Sequence, residues 1–244
     1  MNKEEIFGFK VCSTTYEEIT KNIFKDFEAK EQLFIVNINP EIVMKNYKNP
    51  EMKQIFNKQK YQIPDGIGIL LAAKLKRKYI KERITGIDLM NCICKQSGEY
   101  NAKIFIYGAK PGIAERAKKE LENIYPKIQI VGTSNGYVEE VRAYEEIKKS
   151  KADIVFVATG SPKQENFIIK YKEKLPEAKI FMGVGGSLDV ISKNIKRAPK
   201  WIIQLNLEWL YRLLQEPKRF FRQLKLIKFL WIALWNKEEK NEKN

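Results

Sequence analysis

Short apolar runs and helical patterns alternate along the first 192 residues of this 244-residue chain. The apolar runs are rich in β-branched residues and predict strands, while the stretches between them have apolar residues at helical spacing. Strands are predicted at residues 33–38, 103–107, 128–131, 153–158 and 179–182, with a shorter one ending at Ile63. Helices are predicted at residues 15–30, 67–76, 87–96, 111–125, 139–149 and 164–174. The alternation predicts an α/β fold with a Rossmann-like, mostly parallel sheet and helices on both faces.

Composition sets broad limits on this fold. With 44% hydrophobic residues the chain can bury one large α/β core, which we assign to residues 1–192. The first ten residues are charged and lack the apolar run of a signal peptide, so we expect a cytoplasmic protein. The cysteines Cys12, Cys92 and Cys94 have no CxxC spacing, which favours free thiols. The chain contains no histidine, which argues against a zinc site and excludes a histidine base.

Five segments rich in glycine or polar residues follow the predicted strands. In parallel sheets, ligands bind beyond the carboxyl ends of the strands. Glycine lets backbone N–H groups approach a phosphate, and the start of the next helix favours negative charge. Together the segments predict a nucleotide-type ligand, but neither GxGxxG nor GxxxxGK[ST] is complete, which argues against a dehydrogenase or an ATPase. The segments span residues 37–41, 64–68, 107–112, 159–165 and 183–189.

Three aspartates stand in or beside these glycine turns. Asp65 follows a predicted strand and precedes Gly66, a position that suits a general base; the alternative is an N-cap for the next helix. Asp88 is another possible N-cap, and Asp189 is a candidate either for capping or for binding a ribose hydroxyl. No two aspartates are two residues apart, so the DxD motif that holds a metal on a sugar diphosphate is absent. We expect no metal and no cofactor.

Residues 193–235 form a basic, aromatic appendage. They carry ten Lys or Arg and two acids, a net charge of +8 out of +15 for the whole chain. From Pro217 the apolar residues recur at helical spacing, which predicts an amphipathic helix that can lie in an anionic headgroup layer. The charge-free stretch 229–235 is too short to span a bilayer. The alternatives are a terminal helix packed on its own domain or on a second subunit. In the latter case the protein would be a homo-oligomer. Nucleic acid is disfavoured as a partner, since no recognisable module is present, and residues 236–244 are expected to be disordered.

With these segments in view, the chain resembles the WecG/TagA/CpsF family of bacterial glycosyltransferases, glycosyltransferase family 26. The resemblance covers nearly the whole chain and rests on eight motifs in one order. They are NINPEIV (37–43), PDGIGI (64–69), ERITGIDLM (82–90), YGAKPGIAERA (107–117), GTSNGY (132–137), ATGSPKQE (158–165), GVGGSLDV (183–190) and KRAPKWIIQLNLEWLYRLLQEPKR (196–219).

The resemblance implies a metal-independent, inverting enzyme at the inner face of the cell membrane. It would move N-acetylmannosamine from a UDP donor to N-acetylglucosaminyl-diphospho-undecaprenol, to prime wall teichoic acid or a related polymer. Asp65 is implied as the base, with Asn37, Asn39, Arg83 and Gln164 around the acceptor or donor sugar. Some relatives have threonine where this chain has Asn37, whose amide cannot act as a hydroxyl does. The appendage is implied to bind the membrane and to close over the active site.

Without a metal, the charge that develops on the departing diphosphate must be met by arginine and by backbone N–H groups. We therefore predict a substrate-binding set of glycines, arginines and two further side chains. Its members besides Asn37 are Gly66, Gly108, Gly136, Tyr137, Gly185, Gly186, Asp189, Arg197, Arg212, Arg219 and Arg222. Two alternatives remain at this stage: a transferase that uses another UDP sugar, such as glucose or N-acetylmannosaminuronic acid, and a non-catalytic nucleotide-sugar or lipid-binding module.

Overall fold

The computed structural model describes residues 1–215, 228–229 and 231–234. A short antiparallel hairpin, β1 (Lys3–Ile6) and β2 (Phe9–Cys12), precedes the main sheet. That sheet has six strands in the order β4-β3-β8-β7-β5-β6, and every neighbouring pair is parallel. The predicted α/β class is therefore confirmed. The strands are β3 (Leu33–Ile38), β4 (Tyr61–Pro64), β5 (Lys103–Gly108), β6 (Gln129–Ser134), β7 (Ile154–Ala158) and β8 (Ile180–Gly183).

Eleven helices lie within residues 1–215, and a short 3-10 helix (Lys172–Lys174) extends the eighth. They are α1 (Tyr16–Glu28), α2 (Pro40–Asn46), α3 (Pro50–Lys58), α4 (Ile67–Leu75), α5 (Gly86–Ser97), α6 (Ile113–Ile124), α7 (Glu140–Ser150), α8 (Lys163–Tyr171), α9 (Ser187–Ile191), α10 (Lys200–Gln204) and α11 (Glu208–Gln215). All six predicted helices are present. Within residues 1–192 the two hairpin strands, α2, α3 and α9 are additional, and each of these elements is nine residues or shorter, too short for a periodic pattern to develop.

The parallel strands are covered on both faces, as their nearly continuous apolar sequences require. Along β3 the side chains alternate between two hydrophobic clusters: Phe34 and Val36 pack in one, and Leu33 and Ile35 in the other. All four side chains are buried. Because both faces are sealed by helices, the loops at the carboxyl edge of the sheet are where polar groups can gather around a ligand.

Strand order reverses next to β3. The chain leaves β3 for its outer neighbour β4, whereas the strand on the other side of β3 is β8, which comes last in sequence. Helices that leave β3 and β8 can therefore diverge to opposite sides and open a crevice between the loops. In open α/β sheets this is the position at which ligands bind.

The described part of the appendage packs on the domain. Residues 228–229 and 231–234 are helical, and the ring of Phe229 meets that of Phe7 edge-on, with centroids 5.1 Å apart. Phe229 and Ala233 are buried, whereas Trp231 and Leu234 are exposed. None of the helices among the described residues is long and apolar enough to cross a membrane. The remainder of the predicted tail helix lies outside the described residues.

Candidate active site

A cleft of about 370 Å³ opens at the carboxyl edge of the sheet. Its walls come from the loops after β3, β4, β7 and β8, from the start of α5 and from α11. Several helices begin at its rim, so their N-terminal N–H groups favour an anionic ligand. The cleft brings together many residues that the sequence marked as candidates. These are Asn37, Asn39, Asp65, Gly66, Arg83, Gln164, Gly185, Gly186 and Arg212.

Asp65 stands at the end of β4 with its backbone fixed and its carboxylate unused by the helix that follows. Its N–H donates to the carbonyl of Ile38 on β3 at 2.9 Å. The N-cap of α4 is Gly66, whose φ of +88° suits glycine, and no side chain caps this helix. The capping alternative for Asp65 is therefore wrong, which leaves the carboxylate available to the cleft.

The surroundings of Asp65 raise the pKa of its carboxyl to about 6. Burial is the largest cause, because it disfavours the charged form, and the negative charge of Glu208 acts in the same direction. The charges of Arg212 and Arg83 and a hydrogen bond from Asn39 oppose this rise. A carboxylate with a pKa close to neutrality is a stronger base than an exposed aspartate and is still ionised at pH 7.

We expect the pH dependence of kcat/KM to report this group. Below an apparent pKa of about 6 the rate should fall about tenfold per pH unit, because protonated Asp65 cannot accept another proton. Glu208→Gln removes a charge that raises the Asp65 pKa. The acid limb, which is the low-pH fall of the kcat/KM profile, should therefore move to lower pH. Glu115→Gln, on the exposed surface of α6, is the control and should leave the limb in place. An acid limb at the same pH in Glu208→Gln and in the unaltered enzyme would contradict this assignment.

Two asparagines after β3 present defined groups to the cleft. Asn39 caps α2 by accepting the N–H of Ile42 at 2.9 Å, so its amide nitrogen is the group left to donate to Asp65. Asn37 donates from Nδ2 to the carbonyl of Gly183 at 2.7 Å. Its Oδ1 is buried and accepts no hydrogen bond from any described residue. Asn37 thus lines the cleft and holds, just beneath its wall, a buried acceptor without a partner among the described residues.

Gln164 is tied to the cleft wall at both ends of its amide. Its Nε2 donates to Oε1 of Glu165 at 2.8 Å, and its Oε1 accepts the N–H of Gly185 at 3.1 Å. A Cβ on Gly183 would lie 2.5 Å from Nε2 of Gln164, so only glycine lets the amide occupy this place. Burial raises the pKa of Glu165, which accepts the hydrogen bond from Gln164. Gln164 therefore positions the glycine turn after β8.

Charged residues from the appendage reach the cleft through α11. Arg212 and Glu208 line it, whereas Arg197 makes an ion pair with Asp88, Nη2 to Oδ2 at 2.7 Å, and lies 3.8 Å from Glu208. Asp88 is not the N-cap of α5: Thr85 caps it by accepting the N–H of Asp88 at 3.2 Å. Arg197 thus bridges the start of α5 to α11.

The remaining candidates lie along the same sheet edge but do not line the cleft. Gly108, at φ +129°, packs against the backbone of Ala158, where a Cβ would clash at 2.4 Å. Gly136 donates its N–H to Ala109 at 2.8 Å, and Tyr137 is exposed. Asp189 lies within α9, whose N-cap is Gly186, and accepts from Asn194 at 3.2 Å, so it is not a cap. The predicted Arg219 and Arg222 lie outside the described residues.

Sequence reasoning missed several cleft residues. Glu208, Trp209 and Glu41 line the cleft, although none was singled out from the sequence. Glu41 stands in the NINPE motif directly after Pro40, and Glu208 is one of two acids in a strongly basic segment. An isolated acid in such a segment was the available signal, because it calls for a partner, and Arg197 is that partner.

The model of the glycosyl transferase WecG/TagA/CpsF family matches residues 4–243. The chain belongs to this family. It is therefore a glycosyltransferase, and the resemblance read from its motifs is confirmed. Two curated relatives are each named N-acetylglucosaminyldiphosphoundecaprenol N-acetyl-beta-D-mannosaminyltransferase. The one from Bacillus subtilis (strain 168) is 38% identical over 210 residues, 86% of this chain and 81% of the relative. The one from Bacillus spizizenii is 39% identical over 202 residues, 82% of this chain and 78% of the relative.

Proposed function

We propose that this family member transfers N-acetylmannosamine from UDP-N-acetylmannosamine to N-acetylglucosaminyl-diphospho-undecaprenol. The product is the linkage disaccharide of wall teichoic acid or a related cell-surface polymer. The names of the two Bacillus relatives support the substrates. The observation that carries the chemistry is Asp65, a carboxylate whose pKa is raised to about 6 in a cleft that also contains Arg83 and Arg212.

The proposed reaction is a single displacement with inversion at the sugar carbon. Asp65 accepts the proton of the attacking hydroxyl of the acceptor sugar as the new carbon–oxygen bond forms. On the opposite face, the bond from that carbon to the β-phosphate oxygen breaks, and its electron pair leaves with UDP. Arg212, Arg83 and the N-termini of the helices at the rim stabilise the negative charge that develops there. Asn37 lies in the wall beside the sugars, where a small shift of its amide would bring the unpaired Oδ1 to a sugar hydroxyl.

We propose that the reaction needs no metal ion, because Arg83 and Arg212 bring positive charge to the cleft. Among residues 1–215 and the short helical part near the C-terminus, no group of three or more Cys, Asp or Glu is arranged to hold one. Turnover should therefore be the same in excess EDTA as in buffer with added magnesium, once the protein has been passed through a chelating resin. A rate that vanishes in EDTA and returns with magnesium or manganese would refute the proposal that arginines and helix N-termini stabilise the leaving group without a metal.

We further propose that the enzyme acts at the inner surface of the cell membrane, where a lipid-linked acceptor resides. In this proposal residues 1–192 form the catalytic domain, and residues 193–235 form an appendage that binds the bilayer and completes the active site. Two contacts support the second role: α11 supplies Arg212 and Glu208 to the cleft, and Arg197 pairs with Asp88 of the domain.

A direct assay tests the proposed function. The purified protein is incubated with a panel of UDP sugars and a short-chain, water-soluble diphosphate-linked N-acetylglucosamine, and the products are identified by mass. We expect transfer from UDP-N-acetylmannosamine well above that from the glucose, N-acetylglucosamine or uronic acid donors. Transfer from a different donor would reassign the sugar. Binding of donors with no transfer from any would favour a non-catalytic binding module.

A further inference from the structure

Helix α4 carries an exposed apolar face that the catalytic site does not use. Its inner residues Ile69, Ala72 and Ala73 are buried. On the outer side, Leu71 is 40% exposed and Leu75 is 48% exposed, and they are four residues apart, so they share one face. Tyr79, just beyond the helix, is 70% exposed. Three large apolar side chains in solvent within nine residues mark a contact surface.

The segment that carries this face is strongly basic, although β1, which contacts α4, carries Glu4 and Glu5. Residues 67–81 contain five Lys or Arg and no acid. Lys74 and Arg77 are exposed beside the two leucines. We use the name α4 surface for Leu71, Lys74, Leu75, Arg77 and Tyr79. Leucine and tyrosine flanked by Lys and Arg is the composition of helices that lie in a headgroup layer.

Helix α4 runs from the cleft toward the place where the C-terminal helical residues pack. At one end, Ile67 and Gly68 of α4 line the cleft. At the other, Lys76 stands over the ring of Phe7 at 5.0 Å, and the same ring packs on Phe229. Phe229 thus packs beside the end of α4 through Phe7, although more than 150 residues separate them in sequence, and Trp231 and Leu234 are exposed just after it.

We propose that the α4 surface is a second membrane-contact site, which rests on the anionic headgroup layer and holds the cleft at the depth of a lipid-bound diphosphate. This rests on the proposed function, in which the acceptor is lipid-linked. A second copy of the chain fits less well, because a self-complementary contact between two copies of this basic segment brings like charges together. An anionic bilayer satisfies both the charges and the apolar side chains.

Two independent pairs of substitutions test the α4 surface. Leu71→Ser with Leu75→Ser removes the apolar contact, and Lys74→Glu with Arg77→Glu reverses the charge. Matched controls are Ile124→Ser with Val141→Ser and Lys119→Glu with Lys149→Glu. These control residues are exposed on α6 and α7, the helices that contact β6, at the opposite edge of the sheet from β4. Binding is measured by cosedimentation with phosphatidylcholine vesicles that contain or lack phosphatidylglycerol, in the absence of donor and acceptor.

Both α4 pairs should bind phosphatidylglycerol vesicles about tenfold more weakly, and the charge pair should gain less from low salt than the unaltered protein, since only the appendage keeps its full charge. The controls should bind normally, and all variants should keep their turnover on the soluble acceptor. Vesicle binding of the α4 pairs equal to that of the controls would overturn the proposal. So would a change in sedimentation mass without a change in vesicle binding, since a second copy would then cover this face. Because the vesicle assay contains no sugar substrate, it stands even if the proposed transfer fails.

Discussion

Asp65→Asn should lower turnover by about 100-fold or more while UDP binding remains near normal. Asparagine keeps the size of the side chain and its contact with Asn39 but cannot accept the proton of the acceptor hydroxyl. Burial already disfavours the carboxylate, as the pKa of about 6 records, so the neutral amide should not destabilise the fold. Turnover on the soluble acceptor, UDP affinity by calorimetry and the melting temperature are the three measurements.

Asp153→Asn is the matched control, because it makes the same chemical change just before β7, at the amino end of the sheet. Asp153 accepts the N–H of Lys103 at 2.8 Å. It precedes β7, so the whole strand separates it from the carboxyl edge where the cleft lies. This variant should keep its turnover even if it melts at a lower temperature. Full turnover in Asp65→Asn would remove Asp65 as the base, and in that case the acid limb near pH 6 should also persist in the variant.

The sheet and its larger helices could be predicted because burial on both faces leaves a local trace. Each long strand is an apolar run, and each long helix repeats its apolar positions over three turns. Helices α2 and α3 leave almost no periodicity, yet both begin with Asn-Pro. In each, the asparagine side chain caps the helix and proline occupies its first turn. The Asn-Pro pair was thus a helix-start signal in the sequence, but the helices were predicted from the periodicity of apolar residues.

The candidate site was predictable only in part, because its chemistry comes from residues distant in sequence. The turn at Asp65 marks a carboxylate at a strand end, and the five post-strand segments locate the edge. The pKa of Asp65, however, depends on Arg212 and Glu208, which lie more than 140 residues later. The sequence shows that the appendage is basic, but it does not show that Arg197 pairs with Asp88 while Arg212 reaches the cleft.

Arg212→Ala should lower turnover by about 100-fold, equivalent to about 3 kcal/mol of transition-state stabilisation, because the charge on departing UDP loses a cation placed to meet it. A second effect follows from the same charge. Arg212 lowers the pKa of Asp65, so its removal should move the acid limb of kcat/KM to higher pH, opposite in sign to Glu208→Gln. Binding to phosphatidylglycerol vesicles should stay normal, since this arginine lines the cleft.

Arg212→Lys separates charge from geometry. Lysine keeps the positive charge near Asp65, so the acid limb should stay close to its normal position, while turnover should be only partly restored because an ammonium cannot bind two phosphate oxygens as a guanidinium fork does. Arg142→Ala, which removes an exposed arginine paired with Glu146 on α7, is the control and should change neither quantity. If Arg212→Ala kept normal turnover with an unmoved acid limb, α11 of the appendage would have no role in catalysis. A loss of vesicle binding equal to the loss of turnover would instead assign Arg212 to the membrane.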